Sequence, residues 1–331
     1  MKRLSSMRRT GALLSFALAA LLQLACAAAL AQAYPSRPIK VVVPYPPGGY
    51  YDTMARVVGQ KMTESLGQQV VVENRAGANG ILGTEFTAKS APDGYTIMTG
   101  GIGPHGINPG LYAKLPYDAE RDFAPIILVA TQPNILVVHP SVAASSVREL
   151  VALAQSMSGR VSFGSAGAGS SQHLSAAMFA SAAGIRMNHV PFKGGPPAIA
   201  ALLGGHVDLF FGTASDVLNH IRSGKLRALG VTGARRIPAL PDLPTMTEAG
   251  VSVEASPWFG YFAPAGVPPA IIARLNAEIG KTLGAPEVRK RLTAQGTTEI
   301  VGGTPEHLAA FMRSELLKWS RVVKESGAKA D

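Results

Sequence analysis

Two short segments of this chain combine residue types that can hold an anion without reacting with it. Tyr45-Pro46-Pro47-Gly48-Gly49 follows a β-branched run and leads into a helical pattern near Tyr50 to Asp52. Ser165-Ala166-Gly167-Ala168-Gly169-Ser170-Ser171 follows a second such run and leads into the segment carrying His173. A helix start offers unpaired N–H groups and partial positive charge. Glycine lets the backbone approach an oxygen closely, and the hydroxyls of Ser165, Ser170 and Ser171 add donors. Either loop alone also reads as a tight strand–helix turn with no further role. Two of them, one in each half of the chain, favour an anion seat. Asp52 would repel an anion, so its expected role is structural: capping the helix or bonding loop N–H groups. His173 is taken as a structural neighbour of the second loop.

Other chemistries find less support. Gly101-Ile102-Gly103-Pro104-His105-Gly106 matches a dinucleotide fingerprint, but Asn108-Pro109-Gly110 follows where that fold needs a helix. No G-x-S-x-G element surrounds Ser165 or Ser171, since Phe163 and His173 occupy the flanking positions. A hydrolase built on Ser171 with His173 or His189 stays open as an alternative. His105, His173, His189, His206 and His220 lack metal-ligand spacing, and no phosphate-binding loop with a Gly-Lys-Ser/Thr ending occurs. No metal and no cofactor is expected.

The elements that must position these loops alternate. Strand-like runs at 39–43, 70–72, 95–98, 161–163, 189–192, 207–211 and 228–231 are separated by helical patterns, among them one from about Ser171 to Ala183. A last helix begins near Thr304-Pro305 and carries Leu308, Met312, Leu316, Trp319 and Val323 on one face. Such alternation implies mainly parallel sheets covered by helices. Linkers are expected near 130–133 and 255–257. They divide the chain into a discontinuous first lobe (34–131 plus 257–331) and a second lobe (132–256).

The N-terminus reads as an export signal. Lys2, Arg3, Arg8 and Arg9 precede an apolar run from Gly11 to about Leu24, and small residues end in Ala31-Gln32-Ala33. A membrane anchor and a lipoprotein signal on Cys26 are the alternatives. Cleavage near Ala33 would leave 298 residues and remove the only cysteine, so no disulfide is expected in the exported product. The formal charge is +10; residues 1–33 hold four basic and no acidic residues, so the balance from Tyr34 onward is +6. That sign suits an anionic ligand. The basic residues are scattered without interleaved aromatics, which argues against nucleic acid.

Several segments, in their order and spacing, resemble one family. They are Tyr34-Pro35-Ser36-Arg37-Pro38-Ile39, the Pro44–Gly49 loop with Asp52, Glu73-Asn74-Arg75-Ala76-Gly77-Ala78-Asn79-Gly80, Pro92-Asp93-Gly94-Tyr95-Thr96 and Leu115-Pro116-Tyr117-Asp118. Asp122-Phe123-Ala124-Pro125, Phe163-Gly164-Ser165, His189-Val190-Pro191-Phe192-Lys193-Gly194 and Trp258-Phe259-Gly260 complete the set. Residues 34–331 thereby resemble the Bug family, the solute-binding receptors of tripartite tricarboxylate transporters. The resemblance implies a type II periplasmic-binding-protein-like fold, with two α/β lobes, a central cleft and hinge strands. It also implies a monomer that captures a di- or tricarboxylate, an amino acid or an aromatic acid for membrane transporter subunits, without enzymatic activity. A periplasmic sensor is the main alternative function. The ligand contacts implied are Tyr45, Gly48, Gly49, Tyr50, Ser165, Ala166, Gly167 and Ser170. Gly100 and Gly101 belong to the same expected site, and Phe192, Lys193 and Gly194 line the other side. Lys193 reads equally as a surface lysine. Tyr50-Tyr51 stand where the family more often has small residues, Gly100-Gly101 where a hydroxyl is common, and Gly195 where a small polar residue is frequent. These departures imply a reshaped pocket, suited to an aromatic or flatter acid.

Overall fold

The computed structural model describes residues 34–192, 194–294, 296 and 298–329; the expected export signal and Lys193 lie outside the described residues. The chain builds two α/β lobes on two sheets. The first sheet contains β1 (Ile39–Val43), β2 (Val70–Asn74), β3 (Thr96–Gly101), β4 (Phe123–Thr131), β10 (Trp258–Pro264) and β11 (Glu299–Ile300), in the order β11-β4-β10-β3-β1-β2. The second contains β5 (Asn134–Val138), β6 (Ser162–Ser165), β7 (Asn188–Pro191), β8 (Leu209–Thr213) and β9 (Arg227–Val231), in the order β7-β6-β8-β5-β9.

The apolar runs form strands because both sheet faces are covered. Ile39, Val41 and Val43 pack on one side with Met54, Val57, Val58 and Met62 of helix α1 (Tyr50–Leu66), while Val42 joins the core on the other side. Burial on both faces explains why β1 reads as a continuous apolar run rather than an alternating one. Helix α2 (Ser171–Ala183) covers the second sheet. Helix α3 (Pro305–Ser326) starts at Thr304, whose hydroxyl accepts from the His307 N–H. It buries Leu308, Met312, Trp319 and Val323; Leu316 is half-buried.

The sheets are more mixed than the alternation implies. β10 runs antiparallel to both β3 and β4, and β5 runs antiparallel to β8 and β9. These strands flank the crossings between lobes. Only Gln132 and Pro133 separate β4 from β5, and the returning chain enters β10 through Pro257, whose carbonyl accepts from the Gln132 N–H at 2.8 Å. A strand arriving from the other lobe is not tied to a helical crossover, so nothing forces it to run parallel. A second difference lies at 103–111. A π-helical turn, Gly103–Ile107, runs into a four-residue helix, Asn108–Leu111, where the sequence reading has no helix. Pro109 sits within its first turn, where a missing N–H does no harm.

Candidate functional site

Both glycine loops are braced in the same way. In the first, Gly49 is the N-cap of α1 and offers no side chain. Asp52, in the third helical position, instead accepts from the N–H of Gly48 at 3.1 Å. Gly48 has φ +92°, a conformation that favours glycine. Asp52 is buried and also accepts from Asn74 at 2.9 Å and from Arg56 at 3.0 Å. Burial opposes its ionisation, but Arg56, the Gly48 N–H and Asn74 together hold its carboxyl below the ordinary carboxylate range. The paired charge therefore secures the loop.

In the second loop Ser170 is the N-cap of α2, accepting from the His173 N–H at 3.3 Å. His173, again in the third helical position, accepts at Nδ1 from the N–H of Gly169 at 3.0 Å. That acceptor role needs a neutral ring. Burial first, and the neighbouring His189 second, push the His173 imidazole down to about 4. The rings of His173 and His189 stack at 3.9 Å, and His189 stacks on Phe163 at 4.8 Å. Ser165 is buried; its hydroxyl meets His189 Nε2 at 2.7 Å, accepts from the Gly167 N–H and reaches the Gly167 carbonyl. With its oxygen committed to three neighbours, Ser165 braces the loop.

Each helix therefore fixes the residue just before its cap, and its own first-turn N–H groups have no intrahelical acceptor. At the first helix these belong to Gly49, Tyr50 and Tyr51, where Gly48 and Gly49 are exposed. At the second they belong to Ser171 and Gln172 beside the half-buried Ala166 to Ala168. Segment 103–111 connects the two loops. A Cβ on Gly103 would lie 2.3 Å from the Tyr45 hydroxyl, and a Cβ on Gly169 would lie 2.1 Å from Leu111. One element of the first lobe thus touches the glycine loop of each lobe. Replacing Ser170 by Ala removes the cap and is expected to cost about 1 kcal/mol of stability, read by urea unfolding, with a several-fold weaker ligand titration.

The remaining expected contacts fall in two groups. Phe192 and Gly194 are stitched to the second loop, their N–H groups donating to the carbonyls of Ser165 and Ala166 at 3.0 and 3.2 Å. Gly100 and Gly101 make room for protein groups. A Cβ on Gly100 would strike His105 and Phe262, and one on Gly101 would lie 2.1 Å from the Trp258 carbonyl. Leu111 and Thr298 also belong to these surroundings and were not singled out from sequence, while Phe259 entered only within the Trp258-Phe259-Gly260 segment and His189 only within its own segment and as a possible catalytic base. They lie far apart along the chain, and only strand pairing and the π-helical turn bring them close. Among the described residues no cluster of three metal-ligating side chains occurs.

Two sheet-based lobes, each presenting a glycine-loop helix start, define a solute-binding protein of the periplasmic-binding-protein-like type. The chain belongs to the tripartite tricarboxylate transporter family of receptors, whose model matches residues 54–328. It is 41% identical over 301 residues to protein BugT of Bordetella pertussis, covering 90% of this chain and 92% of BugT. Among solved structures, Rpa4515 of R. palustris with adipate is similar at TM-score 0.80 and 34% identity, over 89% of this chain and 99% of that one. MatC (Rpa3494) from Rhodopseudomonas palustris with bound malate is similar at TM-score 0.76 and 33% identity, over 88% and 100%. The Bug resemblance and the fold class expected from sequence are borne out.

Proposed function

We propose that this protein is an exported periplasmic receptor that clasps a small carboxylate between its lobes and delivers it, unaltered, to the membrane subunits of a tripartite tricarboxylate-type transporter. The observation that carries this reading is the pair of helix starts, each braced by its third helical residue and each leaving first-turn N–H groups unspent. The acids named with Rpa4515 and MatC support the same ligand class, as does the net positive charge from Tyr34 onward. No helix among the described residues is long and apolar enough to cross a membrane. In this reading 34–131 plus 257–331 form one moving unit and 132–256 the other. The N–H groups of Gly49 and Tyr50 receive a carboxylate first, with Gly48 held in place by Asp52, and closure adds the first-turn N–H groups of Ser171 and Gln172 behind the loop that Ser165 and Ser170 brace.

Three or four hydrogen bonds to a charged group, at roughly 1.5–3 kcal/mol each less the ordering of both partners, supply about 8 kcal/mol, or micromolar affinity. A saturating acid at about 100 times its dissociation constant then adds about 2.7 kcal/mol of stability. A thermal-shift series of aliphatic and aromatic carboxylates is expected to contain at least one acid that raises the melting temperature by about 5 °C or more, and mass spectrometry should recover that acid unchanged. A series with no stabilising acid overturns the proposal, and turnover of the acid replaces capture with catalysis.

A further inference from the structure

Four aromatic rings surround the start of α1. Tyr45 and Tyr51 lie 4.7 Å apart, Tyr51 and Phe259 4.7 Å, and Tyr50 and Phe259 4.5 Å. Tyr50 and Tyr51 are the first two residues of the helix, so the backbone that offers N–H groups to an anion also carries two of these rings. Both tyrosines are half-buried, yet both hydroxyl oxygens are fully buried and close no hydrogen bond in good geometry. The Tyr50 hydroxyl faces Thr298, and the Tyr51 hydroxyl faces the backbone of Gly103. Burial pushes both phenols well above their ordinary range, so they stay neutral. With both hydroxyl oxygens buried, whatever side-chain surface these residues offer a ligand is ring carbon.

We infer that Tyr50, backed by Phe259, is a specificity-determining residue that selects acids with a flat aromatic body over acids with a flexible chain. The inference rests on the carboxylate reading above and narrows it. Beside an anion seat, a floor of ring carbon rewards a ligand that can lay a π-face or edge on it. A flexible chain gains less area there and loses rotamer freedom on binding. Polar groups along the ligand body find no partner on this floor, because the tyrosine hydroxyls point elsewhere.

The test uses two pairs of probes matched in charge: terephthalate against adipate, and benzoate against hexanoate. Isothermal titration on the wild-type chain is expected to favour the ring acid by about fivefold or more in whichever pair binds. Tyr50→Leu keeps apolar bulk but removes the ring, and should bring the ratio to about twofold or less while the chain acid changes little. Tyr50→Phe should keep the wild-type ratio, since the hydroxyl faces Thr298. Equal or stronger binding of the chain acid, or a Tyr50→Leu protein that keeps the ratio, overturns this inference alone. Failure of both ring acids to bind a protein that another acid of the thermal-shift series stabilises also overturns this inference and leaves the carboxylate reading standing.

Discussion

Lowering the pH from 7.5 to 5.0 is expected to remove about 4 kcal/mol from the stability of the unliganded protein. Two imidazoles dominate this, while Asp216, whose carboxyl burial raises, works in the opposite direction and offsets part of it. His105 is fully buried, stacked on Phe262 at 4.0 Å and met edge-on by Phe123 at 4.8 Å. Neither of its ring nitrogens has a partner among the described residues. Burial alone pushes it from an ordinary 6.5 down to about 3. His173 sits at about 4. Both folded-state values lie below the unfolded one, so the unfolded chain takes up protons that the folded chain refuses. The stability is complete above pH 7 and is lost as the pH falls through 6.5 toward 4 and then 3. At pH 5 each group has forfeited about 2 kcal/mol. Asp52 does not contribute in this window, because its carboxyl is held below the ordinary range. Urea unfolding at the two pH values measures the difference. His105→Leu should halve it, and should also raise the stability at neutral pH by removing an unpartnered polar ring. An unchanged pH dependence in that variant would mean that His105 finds a partner when charged.

The second large effect is expected at Gly169. Its φ is +71°, and an added Cβ would meet three atoms of Leu111, at 2.1, 2.9 and 3.0 Å. Gly169→Ala therefore combines a left-handed backbone penalty with overpacking between the lobes, about 3 kcal/mol together. Its N–H is also the one held by His173. A shift at this residue misplaces the Ser170 cap and the first turn of α2, so ligand affinity should fall about tenfold or more. Gly224→Ala is the control. It has the same φ of +71° with nothing within 4 Å of the added atom. It should lose about 1 kcal/mol and no affinity. If Gly169→Ala binds as tightly as the wild type, the second loop is not part of the seat.

Much of this arrangement can be read before folding is considered. The two glycine loops, the helix from Ser171 to Ala183 and the Thr304 cap follow local rules of turn and helix chemistry, which act within a few residues. The strands β4, β5 and β10 do not. Phe123–Thr131 and Trp258–Pro264 pair with each other across more than a hundred residues of chain, and nothing in either run announces the other. The bracing of Gly48 by Asp52 lies within one helical turn and is foreseeable from the sequence. The bracing of Gly169 by His173 has the same spacing, but imidazole is an uncommon acceptor there, and its neutrality depends on burial and on His189. The fully buried His105 under Gly100 is illegible in sequence, because its place depends on the π-helical turn.

The position of β10 bears on how the molecule is made. It lies between β3 and β4 in the middle of the first sheet, although it is encoded after the whole second sheet. Until residue 264 has emerged, the earlier half of that sheet has a missing central stave and cannot lock. The second sheet uses only residues 134–231 and meets no such delay. The first lobe is therefore expected to complete its assembly last, after the strands of the second have already met.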